Sequence, residues 1–251
     1  MRAVAINVGA NTNDPGFRGP VFPDGRFAFV PIPESEPTRE PTPTYGDLEP
    51  HLPLSIPEAV RDRPVHLDPE FAGYPRCDRY TYGDPHGVKA RPLLDLDAGD
   101  YVLFYATLTT AAASPRVDCD DSPADWQAPA WGAYLVGHFR LARAPLSGED
   151  YRTLSAADRE PFATNAHVGR DPFDARVLLL GESADSRLYD RAVPLSSRTA
   201  GADANRLVTH LSTDSGNGPW WRRPLRFESD AAATVLATVR ERRLERCFDA
   251  P

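Results

Sequence analysis

The sequence predicts an α+β fold, with a central mixed or barrel-like β-sheet and helices mainly in the C-terminal half. Two apolar, β-prone runs, YVLFYATLTT at 101–110 and WGAYLVGHFRLA at 131–142, indicate two long strands. A near-helical apolar period over Asp230–Arg246 indicates a C-terminal helix. Strands interspersed with helices are typical of the α+β class.

The N-terminal part of the chain predicts short strands and a long irregular segment. Residues 2–8 and Phe27–Val30 predict two strands, and the Asp24-Gly25 pair predicts a tight turn. Residues 33–70 are rich in proline and acidic side chains, which predicts an irregular excursion with one helical turn at Pro57–Arg61. Loops of this length are often functional.

The two long strands are expected to pair in one sheet, because an isolated apolar strand would leave its backbone groups unpaired. Strict alternation along the second strand places Tyr134 and His138 on the same face.

The C-terminal half predicts a strand followed by further helices. Ser147–Phe162 has helical character, and Arg176–Leu180 is typical of a buried strand. Gly181–Ser183 is expected to turn that strand into a helix over Asp185–Ala192, and Asn205–Leu211 predicts another helix.

The chain of 251 residues is interpreted as a single domain spanning residues 1–251. No apolar run approaches the roughly 18 residues that a membrane span needs, and the N-terminus lacks the apolar region of a signal peptide. We therefore expect a cytoplasmic protein without a membrane partner. The three cysteines are widely spaced, which indicates neither a zinc ribbon nor a disulfide framework.

The charge composition is strongly acidic, with a net charge of −8 and Lys89 as the one lysine. Such a composition is typical of proteins from a high-salt cytoplasm, which predicts a halophilic archaeal source. The negative field opposes phosphate binding, so we expect weak, salt-sensitive binding to unmodified duplex DNA. Arginine pairs such as Arg222-Arg223 are the groups that could offset it.

Polar and aromatic residues at predicted strand ends and in adjacent loops suggest a nucleotide pocket, because ligand groups often lie there. Aromatic faces can stack on a base, and a carboxylate can accept hydrogen bonds from its edge. One pocket is expected to contain six residues: Tyr82, Asp84, Tyr134, His138, Asn165 and His167. The alternative is structural, with turn caps, core tyrosines and a buried strand histidine.

Within that set, Asp84, Asn165 and His167 are the candidate catalytic residues. Nucleotide-binding roles are assigned to six residues: Tyr82, Trp131, Tyr134, His138, Ser186 and Arg187. Ser186 and Arg187 are included because a helix N-terminus after Gly181 could bind an anion. The alternative is that Ser183 or Asp185 is simply the N-cap of that helix.

No cofactor and no metal site are predicted. The acidic group Asp118, Asp120 and Asp121 could bind a divalent cation, but an acidic protein favours a solvated loop as the explanation.

Short motifs in chain order resemble the third type of nucleotide modification associated domain. They include Val8-Gly9, Tyr82-Gly83-Asp84, Gly99-Asp100, and Asn165 with His167. The resemblance implies a role connected with modified nucleotides in DNA, often in phage defence, and supplies no catalytic residues. Residues 99–139 also resemble the strand pair of PUA-like domains, which read modified bases by flipping them.

Three functions remain open from the sequence. The first is recognition of a modified base or nucleotide in DNA. The second is an enzyme acting on a modified nucleotide, such as a glycosidic-bond hydrolase or transferase, which needs acid–base groups close to one sugar. The third is a structural subunit with protein partners in a modification system. Convergence of the candidate residues in one pocket would favour the first two.

Overall fold

The computed structural model describes residues 1–119, 121–214 and 216–248, so the suggested cation role of Asp120 lies outside the described residues. Eleven strands lie within this part of the chain: β1 (Ala3–Asn7), β2 (Pro20–Val21), β3 (Ile32–Pro33), β4 (Val65–His66), β5 (Thr81–Asp84), β6 (Tyr101–Thr110), β7 (Trp131–Arg140), β8 (Leu146–Ser147), β9 (Val177–Leu180), β10 (Arg187–Pro194) and β11 (Leu225–Phe227).

Eight α-helices are present in the described residues: α1 (Tyr45–Leu48), α2 (Glu58–Arg61), α3 (Gly87–Leu94), α4 (Gly148–Thr153), α5 (Ala156–Arg159), α6 (Ala166–Gly169), α7 (Arg206–Thr209) and α8 (Ser229–Glu241). Five 3₁₀ helices accompany them, at Glu49–His51, Ala111–Ala113, Glu160–Phe162, Trp220–Arg222 and Leu244–Cys247. Among these helices, none has the length and apolar character needed to cross a membrane.

The helices are spread along the chain, so the expectation that they lie mainly in the C-terminal half is wrong. The proline-rich segment before residue 70 forms α1 and α2, and α3 follows.

Local capping explains α1. The Thr44 hydroxyl accepts from the Asp47 backbone N–H at 3.3 Å, while the Asp47 carboxylate accepts from the Thr44 N–H at 2.8 Å. Such a reciprocal cap satisfies two orphan donors and permits a very short helix.

The central sheet has the order β10-β7-β6-β1-β11, and β2 pairs with the far end of β6. The β1–β6 pair is parallel, whereas β6–β7, β7–β10 and β1–β11 are antiparallel. The α+β class, the mixed sheet and the pairing of the two long strands are confirmed. The barrel-like alternative is wrong, because the sheet ends at β10 and β11, which do not pair with each other.

Apolar cores cover both faces of this sheet, which explains why β6 and β7 are almost continuously apolar. Ile6 and Phe104 belong to the core on one face, which also contains Phe71 and Phe139. On the other face, Tyr105 packs in a second core with residues of α7 and α8.

An irregularity in β7 overturns the strict alternation expected for this strand. The register moves from Phe104↔Gly137 to Tyr105↔Leu135, which leaves Val136 as an extra residue. Such a bulge shifts the side-chain phase. Tyr134 therefore joins the core of the first face, whereas His138 contacts Tyr189 of the second core.

Two further local predictions differ from the structure. Phe27 forms only an isolated bridge to Val21, and residues 28–30 are buried without strand pairing. Asp185–Ala192, predicted as a helix, is largely strand β10, which pairs with β7 at Arg187↔His138 and Leu188↔Gly137. The edge of β7 offers backbone partners that outweigh local helix propensity. The suggested anion site at a helix N-terminus there has no helix to form it.

Two small sheets stand beside the first core and hold the site described below. β3 pairs antiparallel with β4, with Ile32 opposite His66. β5 pairs with β9, which in turn pairs with β8. The predicted strand over Arg176–Leu180 is thus confirmed as β9. Helix α6 begins at Ala166 and contacts β5.

Candidate functional site

A polar cavity of about 440 Å³ lies where the end of β1, the β3–β4 pair, β5 and α6 meet. Its lining is rich in titratable side chains. They are Glu36, His66, Asp68, Tyr82, Asp84, His86, Lys89, His167, Arg170 and Asp174.

Two buried histidines face each other at this cavity. His66 is the last residue of β4, and His167 is the second residue of α6. Their Nε2 atoms are 3.2 Å apart, and their rings meet edge to face with centroids 4.6 Å apart. Both side chains are almost inaccessible to solvent, at 3% and 4%. The two imidazoles therefore direct the same nitrogen at one point.

The opposite ring nitrogen of each histidine contacts a carboxylate. His66 Nδ1 lies 2.6 Å from Glu34 Oε2, and His167 Nδ1 lies 2.8 Å from Asp174 Oδ1. These short contacts place an N–H on each Nδ1, because a carboxylate can only accept. A ring protonated on Nδ1 alone keeps its lone pair on Nε2. Carboxylate partners of this kind fix both the tautomer and the orientation of a functional histidine.

Arg170 joins the two supporting carboxylates. Its Nη2 lies 2.7 Å from Glu34 Oε1, and its Nη1 lies 2.6 Å from Asp174 Oδ2. Burial raises the pKa of Glu34, but hydrogen bonds from His66 and Arg170 outweigh it and bring that pKa to about 2. Burial is the main cause that lowers the pKa of His167 to about 4. The supporting shell is thus charged while His167 is neutral at pH 7.

Asp68 supplies a third buried group that could ligate a metal ion. Its Oδ2 lies 3.9 Å from His66 Nε2 and 3.7 Å from His167 Nε2. Its Oδ1 accepts from the Gly83 backbone N–H at 3.0 Å and from Asn165 Nδ2 at 2.9 Å. Burial raises the pKa of Asp68 well above its ordinary value. His66, Asp68 and His167 offer donor atoms that all lie within 4.8 Å of one another, so these three residues could hold a metal ion.

Asn165 ties α6 to β5 and positions His167. Its Oδ1 accepts from the His167 backbone N–H at 3.0 Å and so caps α6. Its Nδ2 donates to Asp68 Oδ1 and, at 3.1 Å, to the Thr81 hydroxyl. Asn165, predicted as catalytic, is fully buried behind the histidines. Its contacts are those of a positioning residue.

The absence of a side chain at Gly83 permits this close packing. A Cβ there would lie 2.8 Å from His167 Cδ2 and 3.1 Å from Asn165 Oδ1. We expect Gly83→Ala to reduce the free energy of unfolding by about 1–3 kcal/mol, because overpacking displaces the histidine. Urea unfolding measures this. Gly169→Ala is the matched control, because a Cβ at Gly169 meets nothing within 4 Å. Equal effects of the two substitutions would contradict the expectation.

Asp84, the other predicted catalytic residue, lies beside Lys89 at the same cavity. Asp84 Oδ2 accepts from the Tyr82 hydroxyl at 2.8 Å and lies 3.3 Å from Lys89 Nζ. Its Oδ1 accepts from the His86 backbone N–H at 2.7 Å. Burial, followed by the charge of Asp84, raises the pKa of Tyr82 well above its ordinary value. Tyr82 is therefore a neutral hydroxyl donor here.

The six residues predicted to share a pocket divide between different parts of the molecule. Tyr82, Asp84 and His167 line the cavity, and Asn165 supports it. Tyr134 is buried in the first core, where its hydroxyl accepts from the Ala128 N–H at 3.3 Å. His138 lies across the central sheet from Tyr134.

The remaining predicted nucleotide-binding residues also lie away from this cavity. Trp131 stands at the start of β7, packed edge to face against Trp221 with Arg18 over its ring. The buried Ser186 hydroxyl accepts from the Arg140 N–H at 3.2 Å. Arg187 is exposed and lines a separate cavity with His138.

The burial of His138 makes the stability of the protein depend on pH. Burial, followed by the charge of Arg187, lowers its pKa from 6.5 to about 4. The unfolded chain therefore binds more protons than the folded chain between these values, so stability rises with pH across this window. We expect wild type to lose about 3 kcal/mol more than His138→Asn between pH 7.5 and 4 in urea unfolding. Identical pH dependence in the two proteins would contradict this assignment.

The residues at the centre of the site, His66 and Asp68, were not predicted from the sequence. Nor were their partners Glu34, Arg170 and Asp174. Glu34, His66 and Asp68 lie in the segment interpreted as an irregular excursion. A His-x-Asp spacing at 66–68 was the available signal, since two ligand-type residues flank one apolar position. Its partner His167 is 101 residues away in the chain.

Comparison with known proteins identifies the family to which the chain belongs. The sequence model described as nucleotide modification associated domain 3 matches residues 2–237. The chain belongs to this family. No curated protein and no solved structure matches the chain. As a member of the nucleotide modification associated domain 3 family, the protein has a role associated with nucleotide modification.

Several motifs by which the chain resembles the nucleotide modification associated domain 3 family meet at the site. Val8-Gly9, Tyr82-Gly83-Asp84 and His167 line the cavity, and Asn165 holds the His167 backbone from behind it. The resemblance and the geometry therefore identify the same region of the molecule.

Proposed function

We propose that the protein is an enzyme that acts on a nucleotide, with its catalytic centre at His66, Asp68 and His167. The observation that carries this proposal is the pair of imidazoles, each directing Nε2 to one point while a carboxylate holds its Nδ1. Buried titratable groups with shifted pKa values cluster at functional sites, because burial otherwise costs folding free energy.

The composition of the cavity favours chemistry over simple recognition of a base. Of the described residues that line it, Tyr82 is the one phenylalanine, tyrosine or tryptophan, and it is 2% exposed. Recognition of a flipped base usually relies on stacking between aromatic or apolar side chains. Trp131 and Tyr134, which would complete such a cage, lie elsewhere. Titratable groups are numerous in the cavity and aromatic faces are not.

The cavity volume of about 440 Å³ is in the range of small-molecule sites. Lys89 is positioned to contact a phosphate, because it makes one ion pair within the described residues and carries three donors. Arg170, the other cavity cation, is occupied by Glu34 and Asp174. A nucleotide phosphate near Lys89 would leave its sugar or base facing the His66–His167 pair.

The experiment that tests this proposal is mass spectrometry of nucleotides and DNA-derived nucleosides after incubation with the purified protein. Plain and modified nucleoside monophosphates and DNA are offered in parallel. We expect the wild type to convert a substrate and His167→Asn to be at least about a hundredfold slower, whereas His138→Asn, a buried histidine outside the cavity, stays near wild type.

Recognition of a modified base in DNA is the second candidate, because Asp84 and Tyr82 could bind a base edge. It predicts tight binding of a modified nucleotide without any product. That outcome would replace the enzymatic proposal. Absence of both binding and conversion across the series would contradict the two together.

A further inference from the structure

The two Nε2 atoms face each other at 3.2 Å, with Nδ1 of His66 against Glu34 and Nδ1 of His167 against Asp174. When each ring carries its proton on Nδ1, each Nε2 presents a lone pair toward the other ring. Both lone pairs can then bind one shared cation.

Asp68 completes a set of three donors around one point. The separations between His66 Nε2, His167 Nε2 and Asp68 Oδ2 are 3.2, 3.7 and 3.9 Å. A triangle with these sides has a circumradius of about 2.1 Å, which is the length of typical bonds from a transition metal to imidazole nitrogen and carboxylate oxygen. One ion can therefore reach all three atoms with shifts of a few tenths of an ångström at most.

We propose that His66, Asp68 and His167 bind one divalent first-row transition-metal ion. Two imidazoles and one carboxylate suit zinc, iron, cobalt or nickel. Magnesium and calcium are disfavoured, because they require mainly oxygen ligands and this set supplies one carboxylate.

The surrounding residues have the arrangement that a metal site requires. Glu34 and Asp174 accept from the ring N–H groups of His66 and His167. Asn165 donates to Asp68 Oδ1, and the Gly83 N–H lies 3.0 and 3.1 Å from Oδ1 and Oδ2, so the carboxylate is fixed with Oδ2 facing the two histidines. Outer contacts of this kind orient ligands and raise their basicity.

Three protein ligands leave coordination positions open toward the cavity, because all three side chains line it. Sites with three protein ligands and an open position are typical of catalysis, whereas structural sites are closed by four. Metal binding follows from the geometry alone. The use of the ion to activate water or a nucleotide oxygen rests on the proposed function.

The test measures metal binding without any nucleotide. Chelator-treated protein is titrated with Zn²⁺ and, in a parallel series, with Co²⁺, whose visible absorption reports its ligands. Inductively coupled plasma mass spectrometry gives the stoichiometry. We expect one ion per chain, and at least about hundredfold weaker binding by Asp68→Asn and by His167→Asn. Glu34→Gln, which removes an outer contact, should weaken binding about 10–100-fold.

His138→Asn is the matched control and should bind metal like wild type. Circular dichroism on each sample shows that the variants are folded. Binding of Zn²⁺ and Co²⁺ at less than a tenth of an equivalent by wild type, or unchanged affinity in both ligand variants, would overturn the metal site. One equivalent of metal without nucleotide conversion would support the metal site and contradict the proposed function. Conversion that persists in metal-free protein would support the proposed function and contradict the use of the ion in the reaction.

Discussion

Asp68→Asn is expected to lower nucleotide conversion by at least about a hundredfold while leaving the fold intact. The substitution keeps the size and the acceptor that faces Gly83 and Asn165, so the outer hydrogen bonds can persist. It removes the carboxylate that would bind the proposed ion and whose Oδ2 lies 3.7 and 3.9 Å from the two Nε2 atoms. Loss of a group that stabilises the transition state electrostatically commonly costs two to three orders of magnitude in rate, about 3–4 kcal/mol.

Steady-state conversion and thermal unfolding of Asp68→Asn should be measured on the same sample. Asp100→Asn serves as the control, since Asp100 is also a buried aspartate but pairs with Arg2 far from the cavity. Full activity in Asp68→Asn would show that Asp68 has only a structural role. Loss of activity together with loss of the folded state would contradict the expectation that Asp68→Asn keeps its fold.

Lys89→Met is expected to raise KM for a nucleoside monophosphate by about 10–100-fold, with little change in kcat. The reason is loss of a charged hydrogen bond to the phosphate, about 1.5–3 kcal/mol. The side chain is partly exposed at 27%, and its one ion pair in the described part of the chain is with Asp84. Lysine acts on phosphate as a point charge, so Lys89→Arg should retain most of the affinity.

The comparison with a nucleoside lacking phosphate makes this prediction specific. Wild type and Lys89→Met should bind the nucleoside equally, because Lys89 then has no phosphate to contact. An equal loss for nucleoside and nucleotide would show that Lys89 instead maintains the geometry of Asp84. An unchanged KM for the nucleotide would remove Lys89 from the binding site.

Those parts of the fold that burial determines could be predicted from the sequence. β6 and β7 are long apolar runs, and their pairing was predicted because an isolated strand would leave its backbone groups unpaired. Asp185–Ala192 shows the limit. Its helical propensity is outweighed by the open edge of β7, which only the tertiary structure provides. The bulge at Val136, which separates Tyr134 from His138, likewise has no local signature.

The candidate site was predicted only in part, because several of its contacts depend on the tertiary structure. Asp84, Asn165 and His167 lie in or beside recognisable elements. His66 and Asp68 lie in a proline-rich segment without periodicity. Their partners at the site are Glu34 and residues about a hundred positions away in the chain. Convergence over such distances depends on topology and cannot be derived from spacing.

The central claim is that a nucleotide binds with its reacting part at the His66–His167 pair. A crystal structure of the protein with a bound nucleoside monophosphate tests this most directly. The account predicts the phosphate within hydrogen-bond distance of Lys89 Nζ and the sugar or base directed at the Nε2 atoms of His66 and His167. A nucleotide bound instead in the separate cavity beside His138 and Arg187, with the histidine pair free of ligand, would contradict it.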